Sequence, residues 1–381
     1  MYKHTKDGTH TVDTVSIDDN LIIKGDNQIV LENLLSVYKG KIKLIYIDPP
    51  YNTGNTRFKY NDNFNHSTWL SFMQSRLITA RKLLKDDGVI FVSIDDNEQA
   101  YLKVLMDEVF GRENTESMVW EKVGDGDAGA GKMKAVNRFR VDHEYIVIGY
   151  KDKQKTYFSK ATSKPDFKND YKNLDNDFRG AYKCGNISKT EDNSSINGKN
   201  YYQVISPAGR VITRQWHYSK EIFDKLNSDN RIYWGKNGDA IPSIKIFINE
   251  EREVCQTSLL KNLGSATSGN KHLETLFGER VFSNPKPEAL IERIIKASTQ
   301  PNDIVLDFFL GSGTTAAVAH KMGRRYIGVE QMDYIDTIAV ERLKKVIDGE
   351  QGGISKAVGW QGGGSFVRLD IDDINIIKQN V

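Results

Sequence analysis

Cysteine is nearly absent from this 381-residue chain: only Cys184 and Cys255 occur, far apart, with no CxxC pair and no histidine cluster. That excludes a disulfide framework and a structural zinc site, and a reduced, cytoplasmic protein is expected. Long apolar runs are missing too. No stretch approaches the roughly 18 residues of a membrane span, and residues 1–20 are polar, without a signal-peptide core. Net charge is scarce at +2, so the chain as a whole does not announce a polyanion binder. Its distribution is uneven. Residues 151–280 hold 22 Lys+Arg against 16 Asp+Glu, an excess of six, which leaves the remainder at −4. The middle of the chain is therefore the part expected to face a polyanion, although a solvated surface often carries such an excess.

What is present is organised around Leu44-Ile45-Tyr46-Ile47-Asp48-Pro49-Pro50-Tyr51. The unbroken apolar run reads as a strand buried on both faces, as in parallel sheets. The prolines end it at once, since neither can donate to a ladder and each fixes φ near −65°. A rigid corner results, with a carboxylate, a ring and backbone carbonyls at a strand's carboxyl end, where open α/β sheets bind ligands. Such a corner suits attack by an adenine amino group, whose lone pair is delocalised into the ring. The Asp48 carboxylate and the Pro49 carbonyl would accept both amino hydrogens and draw the nitrogen toward tetrahedral geometry. Tyr51 would stack on the base. A strand followed by a merely structural turn explains Asp-Pro-Pro-Tyr equally well, so the rest of the chain decides.

Strands alternate with amphipathic helices on either side of this corner. Residues 21–26 read as a strand ending at Asp26, 27–38 as a helix, and 66–84 as a helix capped at His66-Ser67-Thr68. A strand at 89–94, a helix near 98–110 and strands at 118–120 and 145–148 follow. The pattern predicts a doubly wound parallel sheet. It breaks near residue 151 and returns at Asn284. There a strand over 304–307 enters Gly311-Ser312-Gly313-Thr314-Thr315-Ala316, and a second strand ends at Glu330. A G-x-G-x-x-A turn between strand and helix, with an acid 17 residues beyond Gly313, predicts a nucleoside cofactor. It does not separate NAD from S-adenosylmethionine.

Between the halves, residues 151–282 mix Lys, Asn, Asp and Ser with short aromatic segments, and predict an inserted strand- and loop-rich module. An irregular domain with a modest core is the competing reading. Residues 126–133 nearly spell a phosphate-binding loop, but Met133 stands where a hydroxyl would ligand magnesium and no apolar strand leads in. The four glycines Gly124, Gly126, Gly129 and Gly131 instead make a loop that is costly to order in the free protein. Lys132, Lys134, Arg138 and Arg140 would grip phosphates, as would Lys151, Lys153 and Lys155 beyond them. His66 and His143 lack metal-ligand spacing.

Asp48-Pro-Pro-Tyr51 early and the glycine turn over 307–315 late give the chain a family resemblance. It resembles the amino-group DNA methyltransferases of the β arrangement, with catalytic motif first, target recognition second and cofactor motif last. More narrowly it is similar to the modification subunits of type III restriction–modification systems. The matching features are Gly25-Asp26-Asn27, Asp48 to Gly54, Ser93 to Glu98, Asp142-His-Glu-Tyr145, Asn284-Pro-Lys-Pro287, Asp307 to Thr315, Gly328-Val-Glu330 and Trp360 to Phe366.

The resemblance implies a circularly permuted, Rossmann-like α/β sheet of S-adenosylmethionine-dependent methyltransferase type, of strand order 3-2-1-4-5-7-6. Residues 1–150 would form its catalytic half and 283–350 its cofactor half. Residues 151–282 would be an inserted target-recognition domain and 351–381 a C-terminal extension. Asp307, Phe309, Leu310, Gly311, Ser312 and Gly313 would hold the methionine part of S-adenosylmethionine, with Lys286 and Pro287 near it. Glu330 would take the ribose and Asp26 the adenine. Asp48, Pro49, Pro50 and Tyr51 would hold a flipped adenine of double-stranded DNA, and by the same resemblance the four-glycine loop would close over that DNA. A homodimer and a restriction subunit are the implied partners. Asp at position 48 favours adenine N6, since cytosine-N4 enzymes of this family usually carry Ser there. Cytosine-N4 transfer, an enzyme acting on RNA or protein, and a DNA-binding subunit without transfer activity are the alternatives.

Overall fold

The computed structural model describes residues 1–54, 62–122, 139, 141–163 and 170–374. The loop over 124–134, and with it Lys132, Lys134, Arg138 and Arg140, lies outside the described residues. The chain forms two compact units, Met1–Ser159 with Gln256–Val381, and Lys160–Cys255. Among the described residues no helix is long and apolar enough to cross a membrane.

The larger unit opens with β1 (Tyr2–Thr5), β2 (Gly8–Thr11), β3 (Leu21–Lys24), α1 (Asn27–Tyr38) and β4 (Ile42–Ile47). Next come α2 (His66–Leu83), β5 (Leu84–Ile94), α3 (Gln99–Phe110), β6 (Thr115–Glu121) and β7 (His143–Tyr150). The smaller unit holds β8 (Ala161–Ser163), β9 (Tyr182–Asn186), β10 (Tyr201–Ile205), β11 (Val211–Gln215), α4 (Lys220–Ser228), β12 (Ile232–Tyr233), β13 (Ser243–Phe247) and β14 (Arg252–Val254). The larger unit resumes with β15 (Leu259–Leu260), α5 (Ala266–Phe277), α6 (Glu288–Ser298), β16 (Ile304–Asp307) and α7 (Thr314–Lys321). It ends with β17 (Arg325–Glu330), α8 (Glu341–Ile347) and β18 (Ser365–Asp370).

One sheet of the larger unit runs β15-β6-β7-β5-β4-β16-β17-β3-β18-β1-β2. Its central seven strands, β3-β17-β16-β4-β5-β7-β6, have the order 3-2-1-4-5-7-6, with β7 antiparallel to both neighbours. β4 and β16 are buried along their whole lengths, as strands covered on both faces must be. Ile45 and Ile47 pack into one core with α1, α2 and α3, while Leu44 and Tyr46 pack into the other with α6, α7 and α8. Asp26 caps α1, accepting from the Gln28 and Ile29 amides at 2.9 and 3.3 Å. The cap of α2 is Asn65 rather than a residue at 66–68, because its carboxamide accepts from the Thr68 amide at 2.9 Å.

Three boundaries differ from the sequence reading. Residues 151–159 stay with the sheet, tied by the Lys151 amide to the Gly88 carbonyl and the Ser159 amide to the Ala297 carbonyl. Residues 256–282 return to it, with β15 parallel to β6. The separate unit is thus Lys160–Cys255, not 151–282, and its basic excess shrinks to three, 16 Lys+Arg against 13 Asp+Glu. Nor does the end of the chain form an appendage beyond 350. β18 pairs in parallel with β3, and the β1–β2 hairpin adds on its far side.

The smaller unit has its own aromatic core, including Trp216, Phe223 and Trp234. Among its described residues it buries the ion pair of Lys245 Nζ with Asp177 at 2.9 Å, both side chains fully covered. Arg179 and Lys245 hold the Asp177 carboxyl far below the usual carboxylate range despite burial.

A second buried network lies in the larger unit. Glu288 accepts from Lys321 at 3.0 and 2.8 Å, from Arg342 at 2.8 Å and from the Ile354 amide at 3.0 Å. Burial pushes this carboxyl up, but Arg342 and Lys321 outweigh it and keep it below its ordinary value. Lys321 also contacts Glu350, so its ammonium sits between two carboxylates. Glu288→Ala would leave two buried cations short of a partner, and a loss of about 3–5 kcal/mol in urea unfolding is expected. A loss near zero would contradict this role.

Candidate active site

β4 and β16 are hydrogen-bonded neighbours, Leu44 opposite Val305 and Ile45 opposite Leu306. Their carboxyl ends therefore bring Asp48 and Asp307 side by side, at the point where the sheet order reverses. Both face one cavity of about 470 Å³, within the range of small-molecule sites.

At the Asp48 corner, Pro49 and Pro50 line the cavity, and the Pro50 carbonyl accepts from the Trp69 indole at 2.8 Å. No described residue donates to the Pro49 carbonyl. The Tyr51 hydroxyl donates to Glu144 at 3.0 Å, which fixes its ring. Lys286 reaches Asp48 from the Asn284-Pro-Lys-Pro287 segment, its ammonium 2.7 and 2.8 Å from the two carboxylate oxygens. Burial pushes the Asp48 carboxyl up, and Lys286 only partly offsets that. Burial pulls the Lys286 ammonium down, but Asp48 and Glu144 together leave it above its ordinary value.

The glycine turn builds the other side. The Asp307 carboxylate accepts from the Phe309 amide at 3.0 Å, and burial pushes its pKa up to about 7. Gly311 and Gly313 have φ of +53° and +78°, the left-handed region that favours glycine. The Gly311 amide donates to Glu330 at 3.0 Å, and the Gln331 and Met332 amides donate to its other oxygen at 3.0 and 3.1 Å. Glu330 thus stitches the turn to β17 while still lining the cavity. Phe309 faces the cavity and Phe72, at 5.9 Å between rings. Leu310 packs over Gly328, where a Cβ would lie 2.8 Å from its methyl carbons.

Ser312 lines the cavity, and its carbonyl takes Arg342 at 3.4 Å. Gly313 is the N-cap residue of α7 and Pro287 that of α6; neither is among the lining residues.

The structure separates some residues that the sequence groups with the site. Asp26 does not line the cavity, one of its oxygens capping α1 and the other lying 3.6 Å from Arg76; the neighbouring Asn27 does, bonded to the Phe308 carbonyl at 2.7 Å. Lys151, Lys153 and Lys155 follow the end of β7, and β7 runs antiparallel to β5 with Tyr150 beside Val89. They therefore sit at the end of the sheet opposite Asp48. Lys151 donates to the Arg81 carbonyl, Lys153 pairs with Glu116, and Lys155 lies near Asp86 and Asp152. Lys122 and Glu144, which flank the 123–142 connection, do line the cavity. Glu144 lies within Asp142-His-Glu-Tyr145, where nothing local in the sequence marks its pairing with Tyr51.

The sequence profile of the DNA methylase family matches residues 42–341, a span that includes both Asp48 and Asp307. The chain is 40% identical to the probable type III restriction-modification enzyme HindVI Mod subunit of Haemophilus influenzae, over 98% of this chain and 57% of that protein. It is 35% identical to the type III StyLTI Mod subunit of Salmonella typhimurium, over 78% of this chain and 49% of that protein. It is 29% identical to the type II methyltransferase M.EcaI of Enterobacter cloacae, over 85% of this chain and 69% of that protein. The chain spans about half the length of the type III relatives it matches. With both sequence motifs converging on one cavity and the profile covering most of the chain, this protein belongs to the DNA methylase family.

Proposed function

We propose that the chain transfers a methyl group from S-adenosylmethionine to the N6 amino group of an adenine flipped out of duplex DNA. The observation that carries this reading is the convergence of Asp48 and Asp307 on one cavity, one behind a rigid proline corner and the other behind a glycine turn. The cofactor fits the residues present. A buried carboxylate held near pH 7 suits a ligand cation, and the Gly311 and Gly313 backbone lets a ligand approach closely. Asp307 and the turn would hold the methionine part, and Glu330 would face the ribose. S-adenosylmethionine, when bound, supplies the electrophilic methyl group.

The chain's own residues then prepare the nucleophile. Asp48 and the Pro49 carbonyl accept the two amino hydrogens, which localises the nitrogen lone pair. The Tyr51 ring, anchored through Glu144, offers a flat surface to the extruded base. An aspartate at 48 supports adenine over cytosine. The relatives' names support a place in a restriction–modification system, with double-stranded DNA as substrate and a restriction subunit as partner. The Lys160–Cys255 unit would choose the sequence.

Asp48→Ala should lower methyl transfer from labelled cofactor by about 10²-fold or more while cofactor affinity stays near normal. Near-normal turnover would remove Asp48 from the mechanism. Asp307 gives a pH signature. A bound cation lowers its pKa from about 7, so cofactor binding near neutral pH should release protons. Calorimetry in buffers of different ionisation enthalpy should detect that release, and Asp307→Asn should abolish it; an unchanged release would place the cation elsewhere. Exchanging residues 160–255 for those of a relative should change the methylated sequence but not the methylated atom. A chimera that kept the original site would overturn the assignment of that unit.

A further inference from the structure

Lys286 occupies both oxygens of Asp48, the acceptors on which the transfer reading depends. It is also poised toward a second carboxylate. Its ammonium lies 3.7 Å from Glu144 Oε2 and over the rings of Tyr51 and Trp120, at 5.0 and 5.9 Å from their centroids. The side chain is only 10% exposed, and an ammonium that left for bulk water would strand the Asp48 carboxylate without its counter-charge. Glu144 is the near alternative. It is held by the Tyr51 hydroxyl and by Lys122 at 3.4 Å, and it stands on β7, beside Asp48 rather than on its strand.

We propose that Lys286 is a positioning cation that Asp48 and Glu144 share in turn. In the free protein it fixes the Asp48 carboxylate; when the target amino group arrives, it passes to Glu144 and frees Asp48 as an acceptor. The inference rests on the methyl-transfer reading above. Charge favours the move. An attacking amino nitrogen gains positive charge as its new bond forms, and an ammonium on the same carboxylate opposes that gain. Distance allows it too. Closing the 3.7 Å gap to a charge-assisted hydrogen bond needs a shift of about 1 Å. A lysine suits the task better than an arginine, because its three rotatable donors form no rigid fork and its flexible stem can pivot. The aromatic faces of Tyr51 and Trp120 border the path, so the charge is never left without a favourable neighbour.

A static salt bridge with a purely structural Glu144 is the competing account, and a double-variant cycle separates the two. Glu144→Gln keeps an oxygen to accept from the Tyr51 hydroxyl but removes the receiving charge. Turnover should fall about tenfold or more, with little change in KM for DNA. Adding Lys286→Met to that variant removes the cation that has nowhere to go, and most of the lost turnover should return. A double variant as slow as Glu144→Gln, or slower, would overturn the proposal.

Lys286→Met alone gives an independent readout that does not need the first variant to fold. The other charged or titratable groups around the pair, Tyr46, Tyr51, Asp95, Lys122, Glu144 and Asp307, all remain. Lys286 holds the Asp48 proton affinity down, so its loss should move the acid limb of kcat/KM to higher pH. The limb of kcat should move less, because in the DNA complex Lys286 has already left Asp48. An unmoved kcat/KM limb, or equal movement of both limbs, would contradict the sharing. Wild-type protein that methylates no adenine in the same assay would sink the transfer reading itself, whereas active wild type without rescue would sink only the role of Lys286.

Discussion

A single ammonium reconciles the demands of this site. β4 and β16 must be buried on both faces to hold the sheet together, and that burial delivers two carboxylates to its centre. Burial raises the proton affinity of such groups. Lys286 lies on Asp48 and offsets part of that rise, while Asp307, which has no such cation among the described residues, is pushed up to about 7. The same short segment reaches the other half of the site. Two residues beyond Lys286, Glu288 grips Arg342, and Arg342 holds the Ser312 carbonyl and the Thr314 hydroxyl of the glycine turn. Residues 284–288 thus tie the proline corner to the turn, although the partners lie 238 residues apart along the chain in one case.

The parts of the fold legible in the sequence were those with strong local grammar. Four apolar residues before Asp48, and the strand–turn–helix around Gly311 and Gly313, mark buried strands whatever surrounds them. The order of the central seven strands followed from the family resemblance, not from periodicity. The edges had no such signal. β15 is two residues long and β1 and β2 are four each, too short for any pattern, and their places depend on partners far away in sequence.

Site chemistry divided along the same line. Asp48, Tyr51 and the glycine turn announce themselves by spacing. The pairing of Lys286 with Asp48 and of Tyr51 with Glu144 is set only when the sheet assembles. Asp26 has a second role legible in the sequence: an acid just before a helix is an N-cap, and one of its oxygens caps α1. Part of the basic excess of the middle region lies outside the separate unit, since Lys151, Lys153 and Lys155 stay with the sheet and have partners there. Composition counts charges; it does not say which are already paired.

The activity is defined by which atom of which base receives the methyl group. The most direct test is mass spectrometry of nucleosides from DNA of cells that express this chain, together with any partner subunit, in a host lacking its own adenine and cytosine amino-methyltransferases. The account predicts N6-methyldeoxyadenosine in those cells and none in the same host carrying the empty vector. N4-methyldeoxycytidine alone, or no methylated base despite folded protein, would contradict it.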